Sequence, residues 1–278
     1  MKNTIHAVAC QFDMKLFDKA YNLAKMKGFT EAAKKEYNAD LIVFPEASLT
    51  GYCFENADEV RSVAEPVNGD SVRSMSKIAQ DNEITVVFGM VELADNGLFY
   101  NDVICCQKDG SVQVYHKSHL PLLGLDRFVT RGDELVVTDT DFGPMGMICC
   151  YDMRFPETVR TEALKGARIV VHATNLPPAG KSYPEFLNRA RACENRIFII
   201  SANRIGDERG FHFIGNSQII DFGGNVLAEM GEEEGMIAAE LDLSLTEQKD
   251  IIVRPGIHEM HLFSDRNPLL YNKIVEKN

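Results

Sequence analysis

Alternation limits this chain more than any other feature. Short runs rich in Val, Ile, Phe and Cys are separated by longer stretches whose apolar residues recur at helical spacing. A helix between two such runs carries the chain back to the same edge of a sheet, so the runs become parallel neighbours and the fold class is layered α/β. Strand-like runs lie at residues 4–12, 40–44, 84–93, 99–107, 112–116, 145–151, 168–172, 197–202 and 215–220. Helical patterns lie at 17–37, 71–80, 157–165 and 184–194, with Gly166 as the stop of the third. Between residues 92 and 114 there is no room for helices, and Asp95-Asn96-Gly97 and Lys108-Asp109-Gly110 read as hairpin turns. No low-complexity linker, charge block or repeat divides the chain, which is expected to form one domain over residues 1–278.

Several partner classes drop out on charge and hydropathy. With 29 Lys+Arg against 41 Asp+Glu the net charge is −12, which disfavours nucleic acid or an anionic membrane as a partner. No run reaches the roughly 18 apolar residues of a membrane span. MKNTIHAVACQF alternates like a strand where a secretion signal would be continuously apolar, so a cytoplasmic location is expected. The seven cysteines, at 10, 53, 105, 106, 149, 150 and 193, include no C-x-x-C pair. Neither a disulfide framework nor a zinc ribbon is supported, and the thiols are expected to be reduced.

Three strand-like runs end in reactive side chains. MGMICCYDMRFPE (residues 145–157) is apolar up to Cys149-Cys150 and then charged. In a strand, successive side chains face opposite ways, so the two thiols should not share surroundings. Cys150 lies nearer the carboxyl end of the run, where α/β sheets place reactive groups. Two small core residues are the ordinary explanation, because free Cys is among the most buried types. LIVFPEASLTGY (residues 41–52) sets Glu46 at the mouth of an apolar strand, where a solvated glutamate is the ordinary reading. VYHKSHLP (residues 114–121) ends in His116, Lys117 and His119; a strand-end lysine is usually at the surface, and two histidines are too sparse a set for a metal site.

Together and in this order, FPE, HKSHLP and CYDMRFPE resemble the nitrilase, or carbon–nitrogen hydrolase, superfamily. The resemblance continues through GARIVVHATN, RARACEN, DFGGNVLAE and RNPLLY and so covers nearly the whole chain. It implies a four-layer αββα sandwich and a Glu-Lys-Cys triad of Glu46, Lys117 and Cys150, with Cys149 left as core. By the same resemblance Glu46 takes the thiol proton, the thiolate attacks a small carboxamide, and Lys117 with the backbone N–H of Tyr151 holds the oxyanion. The thiol beside Lys117 is then expected to be held partly as thiolate.

No metal or organic cofactor is implied. Many family members carry a second glutamate after the HLP segment, but residues 122–133 contain none. Either Asp126 takes that place, or the role is absent or filled by water. Tyr52 and Asn175 are candidate pocket residues; Arg154 either faces an acidic substrate group or pairs with Asp152 or Glu157. The segment looks closest to amidases of small carboxamides, including ω-amides. A nitrilase, an N-carbamoyl amidohydrolase and an acyltransferase remain as alternatives, and a non-catalytic scaffold as one of another class. The resemblance also implies a homodimer or higher homo-oligomer, with the helices at 157–165 and 184–194 and the tail from about 250 to 278 as interface candidates.

Overall fold

In the computed structural model, residues 2–276 are described. Up to residue 116 the chain runs β1 (Thr4–Gln11), α1 (Lys19–Tyr37), β2 (Leu41–Val43), α2 (Ala57–Val63), α3 (Asp70–Asp81), β3 (Thr85–Leu93), β4 (Phe99–Cys106) and β5 (Val112–His116). It continues with β6 (Val137–Thr140), β7 (Gly143–Cys149), α4 (Pro156–Leu164), β8 (Ile169–Thr174), α5 (Asn188–Asn195) and β9 (Phe198–Asn203). Then come the hairpin of β10 (Ile205–Glu208) and β11 (Phe211–Ile214), β12 (Gln218–Ile220), β13 (Val226–Glu229), β14 (Gly235–Asp242) and a last hairpin, β15 (Asp250–Arg254) and β16 (His258–His261).

Two six-stranded sheets result, ordered β14-β1-β2-β3-β4-β5 and β13-β12-β9-β8-β7-β6. In each, the strands linked through helices are parallel: β1, β2 and β3 in one, β7, β8 and β9 in the other. The short turns after β3, β4 and β6, the first two carrying Gly97 and Gly110, give antiparallel neighbours. β1 shows how side-chain alternation builds the layers. Ile5, Ala7 and Ala9 point into a core shared with Met145, Met147 and Val171 of the opposite sheet. Val8 and Cys10 point to the other face and pack with Met26 and Ala33 of α1 and with Met75 and Ile78 of α3. Val159 and Ala163 of α4 and Ala192 of α5 join the core of the second sheet. The order is helix, sheet, sheet, helix: the αββα sandwich.

Helix ends follow local chemistry. The Asp18 carboxylate accepts from Tyr21 N–H at the start of α1, and Asn38 closes it in the left-handed conformation at φ 47°. Gly166, at φ 100°, follows α4 as expected. Three expectations change. The run at 145–151 leaves the sheet at Cys149, because Cys150 turns to φ 44°. The run at 215–220 shortens to β12, since Gly215 and Asn216 both take positive φ. The helix at 184–194 opens as a π turn, Tyr183–Leu187, before α5 begins.

Candidate active site

Glu46 leaves the end of β2 through Phe44-Pro45; proline cannot donate to a ladder, so pairing ends there. The peptide is held from two sides. Asn175 Nδ2 donates to Glu46 O at 2.9 Å, and Gly89 of β3 lies so close that a Cβ there would sit 2.1 Å from Ala47 N. Lys117 follows β5, its N–H donating to Asn101 O at 2.9 Å. Asn101 on β4 and Lys117 just past β5 then converge with Glu46.

The result is a closed polar ring. Lys117 Nζ donates to Glu46 Oε1 at 2.7 Å and to Asp126 Oδ2 at 2.6 Å. Asn101 Nδ2 donates to the same two acids, at 2.8 and 2.9 Å. The Tyr52 hydroxyl donates to Asp126 Oδ2 at 2.7 Å. Glu46, Lys117 and Asn101 are completely buried. Burial raises the Glu46 carboxyl above its ordinary range, opposed by the Lys117 cation. Burial also works against the Lys117 charge, but Asp126 and Glu46 outweigh it and hold the ammonium well above its usual pKa. A surface role for Lys117 is thereby excluded.

Cys150 sits on a sharp elbow between β7 and a short 3-10 turn, Cys150–Arg154. Two side chains tie the elbow down. Asp152 accepts from Cys149 N–H at 2.9 Å, Tyr115 OH at 2.7 Å and His119 N–H at 3.0 Å. His172 Nε2 lies 3.1 Å from Cys150 O and its Nδ1 lies 3.0 Å from Ser201 Oγ, so the neutral ring donates through Nε2 and accepts through Nδ1. The leading N–H groups of such a turn, that of Tyr151 included, have no acceptor within it.

The two thiols depart from expectation. Strand alternation would put Cys149 and Cys150 in separate surroundings, yet both act on the Lys117 charge, and Cys149 Sγ donates to Glu46 Oε1 at 3.3 Å. The kink at Cys150 is the reason, since alternation holds only while both residues stay in the strand. Nor is a resting thiolate supported. Burial and the Glu46 charge push the Cys150 thiol up to about 12, and Lys117 offsets this only in part because two carboxylates already neutralise it. Cys149 is fully buried, and burial first raises its thiol well above the ordinary range; Cys150 is 9% exposed.

The remaining candidates fall as follows. Asp126 joins the ring as the second acid on Lys117, and Tyr52 is buried behind it. Asn175 is buried, its Nδ2 donating to the Glu46 peptide while its Oδ1 has no partner among the described residues. Arg154 is exposed, its guanidinium 5.1 Å from the centre of the Tyr183 ring, and it pairs with neither Asp152 nor Glu157. Asp152 is occupied instead by Tyr115 and His119. Sequence reasoning missed Asn101, Asp152, His172 and Tyr183. An Asn in mid-strand was the available signal for the first, because Asn is depleted there unless its amide has partners. His119 binds Asp152, while His116 points away from the ring to the other face of the sheet, beside Glu92 and Asp102.

A buried carboxylate, an ammonium and a kinked thiol at a turn N-terminus can move a proton, attack a carbonyl and hold an oxyanion. The family model described as carbon-nitrogen hydrolase matches residues 7–250. A probable nitrilase of Schizosaccharomyces pombe is 31% identical over 275 residues, covering 96% of this chain and 98% of that protein. A 2-oxoglutaramate amidase of Bacillus subtilis is 34% identical over 246 residues, 87% of this chain and 92% of that protein. The crystal structure of an amidase from Nesterenkonia sp. superposes with a TM-score of 0.83 at 25% identity, covering 99% of this chain and 98% of that one.

Proposed function

The chain belongs to the carbon-nitrogen hydrolase family, and from that membership we propose that it hydrolyses small carboxamides, ω-amides of dicarboxylic acids among them, through a thioester on Cys150. The observation that carries this is the buried contact of Lys117 with Glu46 beside the kinked thiol. Glu46 Oε1 is taken by Lys117, Asn101 and Cys149, whereas Oε2 has no hydrogen-bond partner among the described residues. Oε2 therefore accepts the Cys150 proton as sulfur attacks the amide carbon. An ammonium has three donors and Lys117 spends two on carboxylates, so the third, with Tyr151 N–H, meets the oxyanion. When the C–N bond breaks, Glu46 returns the proton to the leaving nitrogen and ammonia departs. Glu46 next draws a proton from water, whose oxygen attacks the thioester; the acid leaves and the thiol is restored. Asp126 holds Lys117 charged and in place.

Arg154 favours an acidic substrate. It has no carboxylate partner among the described residues, and the Tyr183 it covers is close enough to feel the Cys150 charge. Ammonia release should be measured across neutral amides, ω-amides, nitriles and carbamoyl compounds. We expect ω-amides to lead and Arg154→Ala to raise KM for them at least tenfold, with neutral amides little changed. Fastest turnover of a nitrile, or an equal effect of Arg154→Ala on both amide classes, would overturn the assignment.

The chain is read as a single domain whose tail forms a homo-oligomer contact. β14 returns to pair with β1 along its whole length, and Leu269, Leu270 and Val275 are exposed. Arg266, Tyr271 and Ile274 share a cleft with Pro156 and Arg160 of α4, so tail and helix form one surface. Leu269→Glu with Leu270→Glu should lower the mass seen by sedimentation; an unchanged assembly counts against this contact. Among the described residues no helix is long and apolar enough to cross a membrane. Seven unbridged cysteines support a reducing, cytoplasmic setting.

A further inference from the structure

The active-site ring uses one face of β4 and β5, and the residues next in sequence meet on the other. Asn101 and Lys117 point into the ring; Asp102 and His116, which are partners in the β4–β5 register, point away from it and are joined there by Glu92 of β3. His116 Nε2 lies 2.9 Å from Glu92 Oε2 and 3.8 Å from Asp102 Oδ1, and the three ligand atoms all lie within 4.8 Å of one another. Asp102 is completely buried, and neither of its carboxylate oxygens has a hydrogen-bond partner among the described residues. Glu92 is 7% exposed, and no Lys or Arg among the described residues pairs with either acid. Stacking on Tyr100, with ring centres 4.0 Å apart, holds the imidazole in place.

Two buried acids face a single imidazole; burial first, and then the Glu92 charge, holds the Asp102 carboxyl well above its usual range, so a proton stands where a cation would. A dication would neutralise both and leave the imidazole neutral, free to bind through Nε2. Donors on a tetrahedral zinc ion stand about 3.3 Å apart, given bonds of about 2.0–2.1 Å. The separations of 2.9 and 3.8 Å bracket that value. We propose that Glu92, Asp102 and His116 bind one divalent transition-metal ion, with Zn²⁺ the best match. One nitrogen and two carboxylate oxygens suit zinc better than calcium or magnesium, which prefer oxygen alone. His116 is partly exposed, which opens the site to entry and lets water complete the coordination. The ion would touch no substrate. It would pin β3, β4 and β5 together directly behind Asn101 and Lys117, a positioning role.

The test uses the full chain, stripped with a chelator, and Zn²⁺ alone as the probe in calorimetry. One ion per chain is expected, with a rise in Tm. His116→Gln and Asp102→Asn should each weaken binding by at least roughly tenfold, the loss found for partners one shell further from a metal. Because His116 is partly exposed, its variant keeps the test valid if the Asp102 variant fails to fold. Co²⁺ in place of Zn²⁺ should give the weak visible bands of nitrogen and oxygen donors, and Cys150→Ala should bind as tightly as the parent. Failure to bind, binding unaffected by both variants, or a strong thiolate-to-cobalt band would each overturn the proposal. So would a gain in stability for Asp102→Asn without any response to zinc, which would mark the trio as a proton-sharing cluster.

Discussion

Lys117 shows what burial does to a residue that sequence alone leaves ambiguous. As a strand-end lysine it reads as surface; in the structure it is enclosed and bonded to two acids. A charge so enclosed needs its partners, and removing one leaves the others uncompensated. Glu46→Gln keeps the shape of the side chain but cannot take a proton, so kcat should fall by about 10²–10⁴-fold. If Lys117 donates to the oxyanion as proposed, Lys117→Met should lower kcat by about 10²–10³-fold. Because these groups act as one unit, the double variant should be scarcely slower than the poorer single one, and rates on folded protein decide this. Multiplied losses would break the unit. Glu46, Lys117 and Cys150 were legible because each follows an apolar strand in a family-like order. Asn101 was not, since its neighbours Glu46 and Asp126 are 55 and 25 residues away in the chain.

At the scale of elements, the site depends on two interruptions of regular structure. The elbow at Cys150 was hidden because an apolar run gives no sign of the residue at which it leaves the sheet; at φ 44° Cys150 is held by Asp152 on the Cys149 N–H and His172 on the Cys150 carbonyl, the latter 22 residues away in the chain. The turn at Glu46 needs Gly89 of the neighbouring strand. A methyl group at that position would meet backbone, which has no rotamer to move out of the way. Gly89→Ala should destabilise the fold by about 1–3 kcal/mol, the usual cost of overpacking. It should also lower kcat by displacing Glu46. Denaturant unfolding together with assays on the folded fraction would check both; normal stability and rate would show that the two backbones can separate freely.

For the whole molecule, the layered class was legible from alternation, but strand pairing over long distances was not. β14, GMIAAELD, carries Ala-Ala-Glu, which locally favours helix, and becomes a strand because β1 offers it eight residues of register. The hairpins from β10 onward are short, and their few residues carry little periodicity. Global stability should report on His172, buried where both sheets meet the elbow. Burial depresses its pKa from 6.5 to about 4, with Lys117 adding to the fall and the Cys150 carbonyl and Asp152 opposing it. The unfolded chain therefore binds the proton first. The stability His172 contributes is present above pH 6.5 and lost as pH falls towards 4, a loss of up to about 3 kcal/mol. Subtracting the profile of His172→Gln from that of the parent should isolate this slope between pH 6.5 and 4; parallel profiles would mean that the histidine already carries a proton in the fold.

Intact mass after brief exposure to an ω-amide, with rapid acid quenching, reads the central claim most directly. The parent chain and Cys149→Ala should both gain one acyl group, Cys149→Ala at reduced Tm because a filled core position is emptied. Cys150→Ala should gain none. An adduct that persists in Cys150→Ala and vanishes in Cys149→Ala would contradict the assignment of the thiol on the elbow as the nucleophile.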